Sequence, residues 1–319
     1  MTSTTAIGID IGGTKIAGAL VGPDGLVTHR VRVATPDDTA AIVDVTAELV
    51  ETLSAAADGE VAGTGVACAG LVDGRTGKVW YAPNLPWRDL DLGQEVGRRV
   101  GRAVLVENDA SAAAWGEYRY GAGRDCDDMV LATVGTGVGG GCIIGDRLLR
   151  GAFGIGGEIG HVTLDSRGPR CGCGNDGCLE AFASGTALER RAREVLASGV
   201  PQAAALRERC RGDVEALTGQ DVTELAQQGD PACVELLAEL GTHLGHGLAS
   251  VCAVLDPSLV VVGGGVADAG DLLLRPTAEA VASRLVGRGH RPSPRVVPAT
   301  LGNDAGLVGA ATLAREANA

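Results

Sequence analysis

The stretch GIDIGGTK, Gly8 to Lys15, decides how the rest of the chain is read. Gly8 and Gly13 match the glycines of a phosphate loop, G-x-x-x-x-G-K-[ST], but Thr14 precedes Lys15 where that loop requires the reverse order. Such a loop passes from a strand into a helix whose N-terminus helps to hold phosphate. Here AIGIDI gives way to GGT and then to KIAGALVGPDGLVTHRVRV, a β-branched, apolar run broken by a Gly-Pro-Asp-Gly turn, which predicts two further strands. The segment is therefore read as the tip of a β-hairpin. Backbone amides of Gly12, Gly13 and Thr14 can line a concave turn for an anion, with Lys15 beside it. Asp10, just before the turn, is placed to hold Mg²⁺ directly or through water. An ordinary Gly-Gly hairpin with no ligand would share this local sequence.

The same pattern recurs. GTGVGG, Gly135 to Gly140, comes after the apolar run MVLATV and matches G-x-G-x-x-G, but a dinucleotide fingerprint needs a helix to begin within it. The next residues, GCIIGDRLLRG, read instead as strand, Gly-Asp turn and strand. Two copies of one supersecondary unit, each near the start of one half of the chain, predict two similar domains, each offering a hairpin to phosphate. A third glycine run, VVVGGGVADAG from Val260 to Gly270, leads from a strand toward a helix. Gly264 and Gly265 there could let a base and ribose lie against the backbone, or could simply form a tight strand-to-helix turn.

The whole chain sets consistent limits. Its 319 residues suffice for two domains, and 45% hydrophobic content supports buried cores. The 50 glycines exceed the usual share of about 7%, so much of the backbone must turn tightly or approach something closely. A net charge of −13 with no dense Lys/Arg run disfavours nucleic acid and anionic membranes. The first residues carry no export signal, and no apolar run approaches the roughly 18 residues of a membrane span, so a cytoplasmic location is expected. Nine cysteines, an odd number, accord with reduced thiols.

The run AVLVENDASAAAWGEY reads as a strand ending at Glu107, then Asn108 and Asp109, then a helix. A carboxylate at that place can accept a hydroxyl proton as the oxygen attacks phosphorus, though a plain helix cap is the simpler alternative. Asn108 and Asn84, the latter in APNLPW, supply amides suited to hydroxyl-rich ligands. Downstream, GGEIGH and GPRCGCGNDGCLE place His161, Cys171, Cys173 and Cys178 within 18 positions, a set suited to tetrahedral, structural Zn²⁺; buried free cysteines are the other reading. Glu158 lies three residues before His161 and Glu180 two after Cys178, so closing the ligands on zinc would bring both carboxylates to one place. His243 and His246, at i, i+3 with no thiol or carboxylate partner in sequence, read as ordinary helix-face residues.

In this order, DIGGTK, PNLPW, VENDASAAA, GTGVGGG, GGEIGH and CGCGNDGCLE resemble the ROK family over nearly the whole chain. The resemblance implies an α/β chain of the actin-like, hexokinase-like ATPase fold, with two α/β domains around a central cleft and duplicated β-hairpin phosphate loops. It implies the activity of a glucokinase, with ATP, Mg²⁺ and structural Zn²⁺, acting on the C6 hydroxyl of glucose. It makes Asp109 the general base, and Asn84, Asn108, Glu158, His161, Glu180 and Gly70 sugar contacts. It assigns Asp10, Gly12, Gly13, Thr14, Lys15, Gly135, Thr136 and Gly137 to phosphate and magnesium, and Gly264 and Gly265 to adenosine. His161 doubles as a zinc ligand with Cys171, Cys173 and Cys178. The sequence departs from the family at Cys68 and Ala69, where relatives commonly carry other small residues or proline, and this bears on the contact from Gly70.

The smaller domain is expected at residues 1–108 with 302–319, the larger at 109–301. Relatives commonly form homodimers or homotetramers. The family also contains sugar-responsive repressors with an added helix-turn-helix region of roughly 60–80 residues; with the hairpin beginning at residue 6, the expectation is an enzyme without that module. The core motifs leave open a kinase for fructose, N-acetylglucosamine or N-acetylmannosamine, and polyphosphate as the donor.

Overall fold

The computed structural model describes residues 5–318. In chain order its elements are β1 (Ala6–Ile11), β2 (Lys15–Val21), β3 (Val27–Ala34), α1 (Thr39–Ala56), β4 (Thr64–Cys68), β5 (Leu71–Asp73), β6 (Lys78–Tyr81), β7 (Arg88–Leu90), α2 (Leu92–Val100), β8 (Leu105–Asn108) and α3 (Asp109–Tyr120). After these come β9 (Met129–Val134), β10 (Val138–Ile144), β11 (Arg147–Leu148), α4 (Glu180–Ala183), α5 (Gly185–Ala197), α6 (Ala204–Arg209), α7 (Gly219–Gln227), α8 (Pro231–Leu255), β12 (Leu259–Gly263), α9 (Asp271–Arg284), β13 (Arg295–Pro298) and α10 (Ala305–Ala317). Among the described residues no helix is long and apolar enough to cross a membrane.

Two five-stranded sheets run in the orders β3-β2-β1-β4-β8 and β11-β10-β9-β12-β13, with a small β5-β6-β7 sheet besides. The first apolar strand of each half lies at the middle of its sheet, beside the strand of its own hairpin and beside a parallel strand reached by a crossover. This repeated order is the duplication that the two glycine hairpins predicted. β1 and β2 are antiparallel from Ala6↔Val21 to Ile11↔Ile16, so residues 12–14 form the hairpin tip. In the second sheet Gly145 and Asp146, with φ of 55° and 64°, form the turn between β10 and β11, the left-handed pair that such turns require.

Contacts divide the chain into two compact units. One gathers the residues up to Asp127 with Gly141–Gly157 and the residues from Thr300 onward; the other comprises Asp128–Gly140 and Glu158–Ala299. The boundary expected at residue 108 therefore falls later, and α3 stays with the first unit. The reason is packing. Helix α10 lies against α3 and the first sheet so closely that a Cβ at Gly309 would fall 1.7 Å from the Ala112 carbonyl oxygen, and one at Gly8 would fall 2.2 Å from that of Leu307. The buried Glu117 of α3 adds a clasp. Its carboxylate accepts from the backbone N–H groups of Ala122 (2.8 Å), Thr300 (2.9 Å) and Leu301 (2.7 Å) and from the Thr300 hydroxyl (3.2 Å).

The first unit's core is aliphatic, with Ile7, Ile9, Ile11, Ile16, Leu53 and Val66 almost fully buried. Each such side chain contributes about 1.5–3 kcal/mol by leaving water, and so the β1–β2 hairpin stands on a rigid base.

Candidate active site

In the first unit the hairpin tip is pinned before any ligand is considered. The Gly12 N–H donates to the Lys15 carbonyl at 3.0 Å, and the Thr35 hydroxyl donates to the Gly12 carbonyl at 2.7 Å. The Gly12 amide is thus committed to the hairpin itself. Gly13 and Thr14 are exposed at the tip, and among the described residues neither amide has a protein acceptor. Of the three amides expected to face an anion, two remain available. Asn84 packs against Gly13, its Cβ lying 3.2 Å from where a Cβ on Gly13 would sit.

Asp10, half-buried, is the next-to-last residue of β1 in the same hairpin. Burial first, then the neighbouring Asp109, raise its carboxyl from 3.8 to about 6, with Lys15 pulling the other way. A carboxylate so placed, facing a second acid, has the character of a cation ligand.

β8 delivers the other acid. Asn108 is the N-cap of α3, its side-chain oxygen accepting from the Ser111 N–H at 2.9 Å. Asp109 is therefore the first helical residue and not the cap, which removes the simple alternative for its presence. Its Oδ1 accepts from Asn108 Nδ2 at 3.0 Å and from the Ala110 N–H at 2.9 Å. Burial raises its pKa, an effect these hydrogen bonds oppose. The same Nδ2 of Asn108 donates to the Gly70 carbonyl at 3.1 Å, so Gly70, Asn108 and Asp109 meet at one point. Beneath them Cys68 is wholly buried; desolvation and the surrounding Asp109, Asp10 and Glu107 keep it a neutral thiol.

In the second unit the tip Gly135–Gly137 is held by Gly135 N–H to the Gly137 carbonyl (2.9 Å), Gly185 N–H to the Gly135 carbonyl (2.7 Å) and the Thr186 hydroxyl to the Thr136 carbonyl (2.8 Å). Gly264, at φ +84°, sits against the backbone of Val134, where a Cβ would fall 2.4 Å from the carbonyl oxygen; Gly265 beside it is open.

The four expected metal ligands converge. Ligand atoms of His161, Cys171, Cys173 and Cys178 all lie within 4.8 Å of one another. Cys171 Sγ is 3.6 Å from His161 Nδ1, and Cys173 Sγ is 3.6 Å from Cys178 Sγ. Tetrahedral Zn²⁺ with bonds of about 2.3 Å to sulfur and 2.0–2.1 Å to nitrogen requires edges of roughly 3.5–3.8 Å, so the donor set fits that ion. The Nε2 face of His161 lies 3.8 Å from Glu158 Oε2, an outer carboxylate of the kind that orients a metal-bound imidazole. Burial pushes the Cys171 thiol up to about 12. Three thiols this close need a cation before all can ionise.

Glu180 links this cluster to the glycine hairpin. Its Oε1 accepts from the Cys171 thiol at 3.4 Å, and its Oε2 from the Val138 N–H at 3.0 Å. A Cβ on Gly137 would lie 2.3 Å from that oxygen, so glycine is what lets the carboxylate reach the hairpin. Sequence reasoning placed Glu180 near zinc but did not connect it to the hairpin. It also passed over Glu107 and Arg150, which form an ion pair of 2.7 Å, although a glutamate inside the apolar run AVLVEN was a signal that a buried partner must exist. His243 lies on α8 with its ring against Phe182.

A model of the ROK family matches residues 6–317. The glucokinase of Streptomyces coelicolor is 44% identical over 97% of this chain and 97% of its own length. A solved ROK family glucokinase from Streptomyces griseus, in complex with glucose and AMPPNP, superposes with a TM-score of 0.88 at 45% identity, covering 98% of this chain and 99% of that one. The xylose repressor of Bacillus subtilis is 29% identical over 97% of this chain and 76% of its own length.

Proposed function

The chain belongs to the ROK family and has its actin-like ATPase fold, and from that premise we propose that it transfers the γ-phosphoryl group of ATP to the C6 hydroxyl of glucose. The observation that carries this reading is Asp109, a half-buried carboxylate oriented by Asn108 and freed from any capping duty. The glucose- and AMPPNP-bound relative, 45% identical, supports the choice of sugar and donor.

Asn84, Asn108, Gly70, Glu158, His161 and Glu180 are assigned to the sugar hydroxyls. Asp109 Oδ1 stays engaged with Asn108 and Ala110 while Oδ2 takes the O6 proton as the oxygen attacks phosphorus. The amides of Gly13 and Thr14, with Lys15 and the tip Gly135–Gly137, are assigned to phosphate oxygens, where oriented donors stabilise developing charge. Gly264 and Gly265 are assigned to adenosine. Asp10 would hold Mg²⁺, whose bound charge offsets that of the phosphates. His161, Cys171, Cys173 and Cys178 would hold Zn²⁺, a structural ion that fixes the loop carrying Glu180.

The test is a coupled assay of ADP release with purified protein, Mg·ATP and glucose, mannose, fructose, N-acetylglucosamine or N-acetylmannosamine. Turnover strongest on glucose is expected. Turnover dominated by another sugar would move the specificity while leaving Asp109 in its role; no turnover with ATP or polyphosphate would overturn the enzyme reading in favour of sugar binding alone.

A further inference from the structure

The buried Glu107 and its partner Arg150 take no part in the chemistry above, yet they adjoin the residues that do. Glu107 is 1% exposed near the end of β8, one residue before Asn108. Its Oε2 accepts from Arg150 Nε at 2.7 Å, and its Oε1 from the Asn108 N–H at 3.1 Å. Gly74 closes over the carboxylate, and a Cβ there would lie 2.5 Å from it. Arg150 reaches in from the head of a glycine-rich segment that runs to Gly157 and continues into Glu158 and His161. At Gly154, with φ of +79°, that segment passes close to the buried Asp73, where a Cβ would fall 2.0 Å from Oδ1.

We propose that Arg150 is a positioning residue for the phosphoryl transfer: paired with Glu107, it fixes the backbone that presents Asn108 and Asp109. The proposal rests on the sugar-kinase reading above. An apolar pair of similar size would serve stability as well as a buried ion pair, and often better. What the pair adds is direction. A charge-assisted bond of this length holds both partners in one geometry, and Glu107 spends its second oxygen on the amide of the residue that orients the base.

The experiment compares R150M, R150K and the double variant E107Q/R150M with the unmodified protein, using steady-state kinetics on whichever sugar that protein turns over, together with Tm. Turnover of glucose by the unmodified protein tests the underlying reading, and the ratios between variants test this one. Because R150M leaves a buried carboxylate unpaired and can fail to fold, the double variant, with both charges removed, is the decisive protein. Misplacement of reacting groups predicts that its kcat/KM for sugar falls roughly ten- to a hundredfold, with the KM for ATP changed by less than about twofold. R150K should recover much of the loss. A folded E107Q/R150M protein with unchanged Tm and sugar kcat/KM within about twofold of the unmodified protein overturns the proposal, as does an R150K variant no better than R150M.

Discussion

Replacing Asp109 by Asn separates chemistry from architecture at this site. The amide is isosteric with the carboxylate, and its oxygen can keep both bonds that Oδ1 now accepts, from Asn108 Nδ2 at 3.0 Å and the Ala110 N–H at 2.9 Å. Folding should not suffer. Burial disfavours the charged form of Asp109, so a neutral side chain removes a cost, and Tm should hold or rise. What the amide cannot do is accept the O6 proton. Loss of a positioned general base costs roughly 10²–10⁴-fold in rate, about 3–5 kcal/mol of barrier. The decrease should appear in kcat, measured by coupled ADP release, with the glucose dissociation constant changed only a few-fold. A kcat within about tenfold of the unmodified protein would remove Asp109 from the mechanism.

Three further outcomes rest on the same geometry. The base works deprotonated and burial places its pKa above the ordinary 3.8, so kcat/KM for glucose should decline as pH falls through that raised value; an acid limb that falls at or below the ordinary 3.8 contradicts the assignment. Cys173→Ser should reduce bound zinc, measured by elemental analysis, and raise the KM for glucose because Glu180 follows Cys178 by two residues on the loop that the metal would fix. A zinc-free variant with an unaltered KM would sever metal from sugar. Gly309→Ala forces a methyl to within 1.7 Å of the Ala112 carbonyl; overpacking against backbone should cost about 3 kcal/mol or more, a fall in Tm of roughly 6–12 °C by calorimetry. A Tm unchanged within about 2 °C would mean that α3 and α10 can separate at little cost.

Local chemistry was the legible part of the sequence. The strand-turn-strand reading of GIDIGGTK and GTGVGG needed only period-two apolar runs and glycine tips, and both hairpins formed where expected. The metal cluster was legible because four ligands of the right type fall within a short span. Connections made across long separations were not. Glu117 reaching Thr300, Arg150 reaching Glu107 and α10 lying on β1 have no periodicity to announce them. They also moved the domain boundary, because the helix after Asp109 has its partners at the far end of the chain. The commitment of the Gly12 amide to Lys15 was equally hidden, since a glycine's availability to a ligand depends on which internal acceptor it meets.

The placement of α10 also sets a timetable for synthesis. The first sheet is complete once β8 has been made, but residues Ala6 and Val21 share a buried cluster with Val308 and Ala311. Until α10 emerges, that face of the sheet stays open to water. At about 5–20 residues per second the ribosome needs roughly 10–40 s to cross from the end of α3 to α10. Throughout that interval the half-made protein carries an uncovered apolar surface, the condition under which nascent chains recruit chaperones or associate with one another. The second unit, whose residues Asp128–Gly140 and Glu158–Ala299 are all made before α10, is free to fold meanwhile, so the half that begins first is the half that finishes last.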